Sequence, residues 1–488
     1  MLTTPPIHAA DAEPPPILNS AQTSTRASSS NYGISNLPET TTATLTDNND
    51  DRRNNPRTNV DIEKMRDAEV TKPRGWKERS EYWTWNCYTV NMGTGAVSIL
   101  IGGIPFEMLG ASQRIMGTIF YLLNIVLFVF NTSGVLSRLI FHPRAFFESF
   151  YDHTDGIYVP CFALAIAGLF VGSVNYAAPY VGFWFTRTLY VIWIFYIILN
   201  ISVAMILENT MRGRRQSLET ITPADSLLVL STMIAGTLGS ALAPKLPLEQ
   251  AGYVICVSYM LQGMGFWISI LKLSLWQSRT MLLPNPEPSS LPGYMIAVGP
   301  PGFTAFAFLH LADTAKTAFP ASGILSEGAG EMFVVINVWF ALMLIGMGLY
   351  IYLSTLAVWI GGMVVRREVK WSMGWWSFTF PLVGIFMAFA QLGKLIPSKT
   401  CSAVQVFGCF FVSIFWCINI TMTVYSVFIA RTVGMPKPPQ PNFAAEAHQP
   451  IDGYHQGSRS RVEGDSQIRQ RSGAGAAGKE WARNSIDA

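Results

Sequence analysis

Ten apolar runs, each about as long as a membrane-crossing helix, fill the chain from residue 84 to residue 430. They cover 84–105, 114–140, 157–176, 181–207, 223–243, 251–276, 294–312, 331–361, 375–394 and 403–430. A hydrocarbon core of about 30 Å takes roughly 20 helical residues. Backbone polar groups in lipid need internal partners, which leaves helices or closed barrels as spanning elements. No run shows the alternation of a barrel strand. The segments between runs are polar or turn-forming: EMLGASQ, HPRAFFESFYDHTD, RGRRQSLET, PNPEPSS and RREVKWS. The fold class predicted is an all-α integral membrane protein with ten transmembrane helices.

Charge keeps out of these runs. Of 65 charged residues in a chain of 488, 21 lie in residues 1–80 and 14 in 431–488, leaving 30 for the 350 residues between. A soluble domain carries about a quarter charged residues, so an ordinary soluble enzyme is excluded. The flanks are rich in Pro, Ser, Thr, Asn, Gly and Gln and cannot bury enough apolar surface to offset ordering entropy. Three regions follow: a disordered N-terminal tail (1–80), a ten-helix transmembrane domain (81–430) and a disordered C-terminal tail (431–488). Only residues 61–79 read as a short charged helix, and the polar start carries no signal-peptide pattern.

Several chemistries lack residues. Net charge is +3, and no basic, aromatic-interleaved stripe tracks phosphates, so no nucleic-acid partner is expected. The six cysteines form no CxxC pair and the six histidines no HxxxH or HExxH set, so no metal site is expected. Without a GxSxG elbow or a P-loop, neither an enzyme nor an ATP-driven pump is indicated, and no cofactor is expected. A secondary carrier or a channel remains.

Positive charge sets the orientation. Loops after even-numbered runs hold 10 of the 16 Lys and Arg residues of 81–430, and Lys72, Arg74, Lys77 and Arg79 precede the first run. Both termini are therefore predicted to be cytoplasmic. Odd and even runs also differ in proline. Pro105, Pro160, Pro223, Pro300, Pro301 and Pro381 all fall in odd runs, and the even runs have none. Proline removes a backbone hydrogen bond, and free backbone groups at depth are tolerated beside protein or a water-filled cavity. Odd helices are thus expected around an interior path, with even helices facing lipid. Gly93, Gly95, Gly102, Gly103, Gly236 and Gly239 fit close approach of a helix or a solute. Thr94, Ser98, Thr232, Thr237, Thr304, Ser377 and Thr379 supply hydroxyls that can solvate an anion or bond within their own helices. His310 and Asp313 are the candidates for proton coupling. Asn131-Thr-Ser and Asn419-Ile-Thr are glycosylation sequons inside apolar runs, which makes them fortuitous matches.

Three motifs meet a known family. They are Asn91-Met-Gly-Thr-Gly-Ala-Val-Ser98 in the first run, Ala297-Val-Gly-Pro-Pro-Gly-Phe-Thr-Ala305 in the seventh and Trp375-Trp-Ser-Phe-Thr-Phe-Pro-Leu382 in the ninth. With them, residues of about 80–430 resemble the tellurite-resistance/dicarboxylate transporter family. That family includes bacterial tellurite-resistance proteins, plant slow anion channels, fungal sulfite efflux pumps and fungal malate permeases. The resemblance implies five helical hairpins with quasi-fivefold symmetry around a central path, lined by the odd helices, and a homotrimer. It also implies an aromatic plug on the ninth helix, matched here by Phe380 before Pro381, with Phe378 as the second choice. Gly93, Thr94, Gly95, Ser98, Gly299, Pro300, Pro301, Phe303 and Thr304 complete the expected path. No fixed cation inside the membrane marks a carboxylate site.

The segment Leu291–Thr304 looks most like fungal malate permeases, whereas sulfite pumps tend to show a Gly-Pro-Leu-Gly type of sequence there. The function implied is a plasma-membrane carrier for C4-dicarboxylates such as malate, with protons as the candidate coupling ion. Its partners would be a small organic or inorganic anion and the lipid bilayer. Sulfite efflux, a gated anion channel and a non-transporting scaffold read through its tails are the alternatives.

Overall fold

A computed structural model describes residues 75–105, 110–212, 217–286, 290–326, 328–366 and 371–429. The predicted tails lie outside these residues, except that Trp76–Ser80 form a short helix. Arg214, Arg215, Arg367 and Lys370, counted in the orientation argument, also lie outside them. No strand occurs among the described residues.

Each apolar run carries one main helix. These are α1 (Thr89–Gly103), α2 (Ala111–Phe141), α3 (Pro160–Gly172), α4 (Phe183–Arg212) and α5 (Leu227–Leu242). There follow α6 (Leu248–Leu282), α7 (Gly299–Ser322), α8 (Ala329–Arg366), α9 (Phe380–Leu395) and α10 (Lys399–Val424). Taken with the turns continuous with them, nine helices among the described residues are long and apolar enough to cross a membrane. The exception to the predicted ten is α1, whose 15 residues rise only about 22 Å.

Burial alternates along the chain. Within its most apolar stretch, the third, fifth, seventh and ninth spans are 67, 94, 89 and 72% buried, against 22, 28, 44, 33 and 22% for the even spans. Eleven of the 15 residues of α1 are buried, which puts it with the odd set. Contacts agree: α1 packs on α3, α3 on α5, α5 on α7, α7 on α9, and α9 on α1 again, closing a ring. Each even helix packs on the odd helix before it.

The prolines act differently from the sequence expectation. Pro160, Pro300, Pro301 and Pro381 stand in the first turns of α3, α7 and α9, and Pro223 opens the 3-10 segment Pro223–Ser226. A first turn has no ladder bond to lose, and the fixed φ of proline suits it. What the prolines mark is a change of winding. The 3-10 segments Trp85–Tyr88, Pro223–Ser226, Leu291–Val298 and Met373–Phe378 lead directly into or end just before α1, α5, α7 and α9.

Between odd helices, backbones meet through glycine. A Cβ on Gly302 would stand 2.8 Å from the backbone nitrogen of Ile385, and one on Gly384 would collide with Phe303. Between odd and even helices, buried side chains supply hydrogen bonds. Asn91 donates through Nδ2 to Asn124 Oδ1 at 2.9 Å, Asn131 donates to Asn91 Oδ1 at 2.8 Å, and Trp193 Nε1 donates to the Ala235 carbonyl at 2.8 Å. Asn419, the other sequon asparagine, accepts from Trp371 Nε1 and donates to the Trp375 carbonyl. Both sequon side chains are thus packing elements, buried at 4% exposure or less. Interhelical bonds of this kind contribute about 0.6 kcal/mol each in a membrane, up to about 1.7.

Candidate functional site

The ring encloses a cavity of about 180 Å³ to which all five odd spans contribute. Each contributes one stripe at helical spacing, which follows from the three- and four-residue neighbours of a helix face. On α9 the stripe is Phe380, Val383, Met387, Gln391 and Lys394; on α7 it is Phe303, Phe306 and His310. Ile234, Thr237, Leu238 and Ala241 come from α5, and Ile99, Gly102 and Gly103 from α1. The third span presents Ala167, Val171 and Asn175. Asn175 belongs to a π-helical turn, Ser173–Ala177, that continues α3.

A second, smaller cavity of about 40 Å³ lies among the starts of the odd spans, lined by Thr89, Met92, Cys161, Leu227, Ile296 and Ser377 among others. One side chain of the α9 stripe borders both cavities: Phe380. It is the first residue of α9, placed there by the change from 3-10 to α winding at Thr379. Its ring packs on Phe303 with centroids 4.9 Å apart, and it is 5% exposed. Phe378, the other candidate, is fully buried away from both cavities, stacked on Phe415 at 4.6 Å and against Trp359 at 5.1 Å.

The remaining sequence candidates divide. Phe303 and His310 line the larger cavity, and Pro381 the smaller. Thr94, Ser98 and Thr304 line neither. Thr94 Oγ1 donates to the Val90 carbonyl and accepts from Trp416 Nε1; Ser98 donates to the Gly117 carbonyl; Thr304 accepts from Gln262 Nε2 at 2.9 Å. Their hydroxyls bind helices because an unpaired hydroxyl at depth is costly. Gly93 and Gly95 serve packing: a Cβ on Gly93 would strike Trp376 and one on Gly95 would lie 3.0 Å from Asn124 Nδ2. Gly299 approaches Pro381, and Pro300 and Pro301 are buried in the first turn of α7. Asp313, exposed, accepts a hydrogen bond from Gln391 Nε2 at 3.1 Å, and His310 Nδ1 lies 3.4 Å from Ser240 Oγ.

The larger cavity is apolar near Phe380 and polar at its far end, where His310, Gln391, Lys394 and Asn175 finish their stripes. Lys394, exposed in the last turn of α9, borders this polar end of the cavity. As the last-turn residue of α9 it reads in sequence as an interfacial lysine. Counting the face of α9 from Phe380 by threes and fours reaches it. An ammonium at the mouth of a low-dielectric cavity attracts anions and repels cations.

Comparison with known proteins follows the same lines. Residues 82–424 match the family model described as voltage-dependent anion channel. The malic acid transport protein of Schizosaccharomyces pombe is 26% identical over 376 residues, 75% of this chain and 84% of the relative. A putative malic acid transport protein of the same organism is 28% identical over 380 residues, covering 76% and 87%. The sulfite efflux pump SSU1 of Arthroderma otae is 25% identical over 340 residues, covering 69% and 89%.

Proposed function

The chain belongs to the voltage-dependent anion channel family, and from that footing we propose that it is a secondary carrier moving C4-dicarboxylates of the malate class across the plasma membrane. It is a multi-pass membrane protein with a small anion as its substrate. The observation that carries the finer reading is the position of Phe380 between two cavities enclosed by the odd spans. One aromatic ring at that point closes the path, and its movement opens it. Coverage of 84 and 87% of two malic acid transport relatives supports the malate class.

Ten crossings in five hairpins with quasi-fivefold symmetry are part of the proposal. The 3-10 turn Trp85–Tyr88 adds about 8 Å to α1, which brings the first span to about the thickness of a bilayer core. The protein converts no substrate chemically. Tails over 1–80 and 431–488 lie in the cytoplasm, and three copies associate with their even helices in lipid. His310 beside the cavity, with Asp313 one turn further, is the proposed route of proton coupling.

Flux into proteoliposomes of purified protein, offered labelled malate and sulfite separately with and without an inward proton gradient, tests this. Malate uptake that rises with the gradient is expected, as is loss of that rise in His310→Gln. Sulfite flux without malate flux would replace the reading with sulfite efflux, which similarity to the SSU1 pump favours. Malate conductance persisting as a steady current would make the protein a gated channel. Deleting residues 1–75 and 445–488 should leave flux unchanged, whereas a scaffold read through its tails would lose activity.

A further inference from the structure

Phe380 does not meet the larger cavity alone. Phe303 of α7 lines the same cavity, is itself 5% exposed, and does not border the smaller one. It is the one ring packed on Phe380 among the described residues, with planes tilted by 32°. Aromatic pairs at this separation attract each other beyond the area they bury.

Both rings stand on backbone that is held on several sides. Next to Phe380, Thr379 Oγ1 donates to the Trp376 carbonyl, and Trp376 Nε1 donates to Thr423 Oγ1 of α10. A Cβ on Gly93 of α1 would strike both Trp376 and Thr379, so α1 closes over this turn. From the other side α7 docks on the start of α9 through glycines. A Cβ on Gly299 would stand 3.8 Å from Pro381 Cβ, one on Gly302 would stand 2.8 Å from the Ile385 nitrogen, and one on Gly384 would collide with the Phe303 backbone. Backbones packed this closely leave no room for a small slide. The parts free to move are therefore side chains, which turn between staggered wells about χ1. A cavity on each side gives the Phe380 ring space to turn into.

We propose that Phe303 is a positioning residue of the gate: its ring holds Phe380 in the closed rotamer, and the path opens by side-chain rotation on a fixed backbone. The inference rests on the reading of Phe380 as the gate and adds what keeps it shut. It does not depend on which anion passes.

Initial flux per folded molecule, for full-length protein in proteoliposomes offered labelled malate and labelled sulfite separately, tests it. Phe303→Leu, which keeps most of the volume and loses the ring, should raise flux about two- to tenfold, the population shift that one aromatic pair supplies. Phe303→Tyr, which keeps a ring, should stay near the parent. Adding Phe303→Leu to Phe380→Ala should raise flux no further than Phe380→Ala alone, because a latch has nothing to hold once the gate ring is gone. A merely structural role for Phe303 would lower the Tm of Phe303→Leu and leave its flux per folded molecule at the parent level, and that result would overturn the latch. A further rise in the double variant would also overturn it, making Phe303 a separate barrier. If Phe380→Ala itself shows no rise, the gate reading fails and the latch with it. That outcome is distinct from a rise in Phe380→Ala with none in Phe303→Leu, which removes the latch and leaves the gate.

Discussion

The odd and even helices are all apolar in sequence but solve different problems. Spans five and seven are 94 and 89% buried in their most apolar stretch, while spans two and ten are 22% buried. The even helices turn large side chains outward, among them Met343, Phe410 and Leu271 at 72, 68 and 62% exposure. Lipid is as apolar as these residues, so such a face asks only for hydrophobicity. Inner helices must instead fit backbone to backbone, at Gly302 against Ile385 and Gly384 against Phe303. Fit, unlike hydrophobicity, is intolerant of added atoms.

Substitutions can break that contrast, beginning with the largest effect. Gly384→Leu should abolish the folded monodisperse species in detergent, because the new side chain has backbone in front of it. A normal elution profile would contradict the close packing of α7 on α9. Phe410→Arg, facing outward from α10, should cost about 2.5–3.5 kcal/mol of insertion if it stands at mid-bilayer depth, read as reduced membrane-integrated yield. Lys272→Met should cost less. It leaves Glu208 without the ammonium now 3.0 Å away across α4 and α6, and Glu208→Gln added to it should recover much of the lost stability in a double-mutant cycle. Met343→Ala, on the exposed face of α8, should fall within about 0.5 kcal/mol of the parent.

How far the sequence carries this account differs between fold and site. Helix positions were legible because a continuous apolar run has one structural solution in lipid. The inner set was legible from proline, although Pro160, Pro300, Pro301 and Pro381 stand in first turns and strip no bonds from helix interiors there. That distinction depends on where the winding changes, as at Thr379, and no residue type announces it. Site residues were harder. Hydroxyls such as Thr94 and Thr304 are chemically suited to an anion and are bonded instead to neighbouring helices. Lys394 stands in the last turn of α9, where the sequence offers a bland, interfacial explanation. Only the stripe counted from Phe380 connects it to the cavity.

The central claim is that the ring of Phe380, bordering both cavities, closes the path between them. Anion flux through matched amounts of correctly folded Phe380→Ala and Phe378→Ala protein tests it most directly. The account predicts flux well above the parent for Phe380→Ala. Phe378→Ala should lose about 3–5 kcal/mol of stability, with no gain in flux per folded molecule. Parent-like flux in Phe380→Ala, or the gain appearing with Phe378→Ala instead, would contradict it.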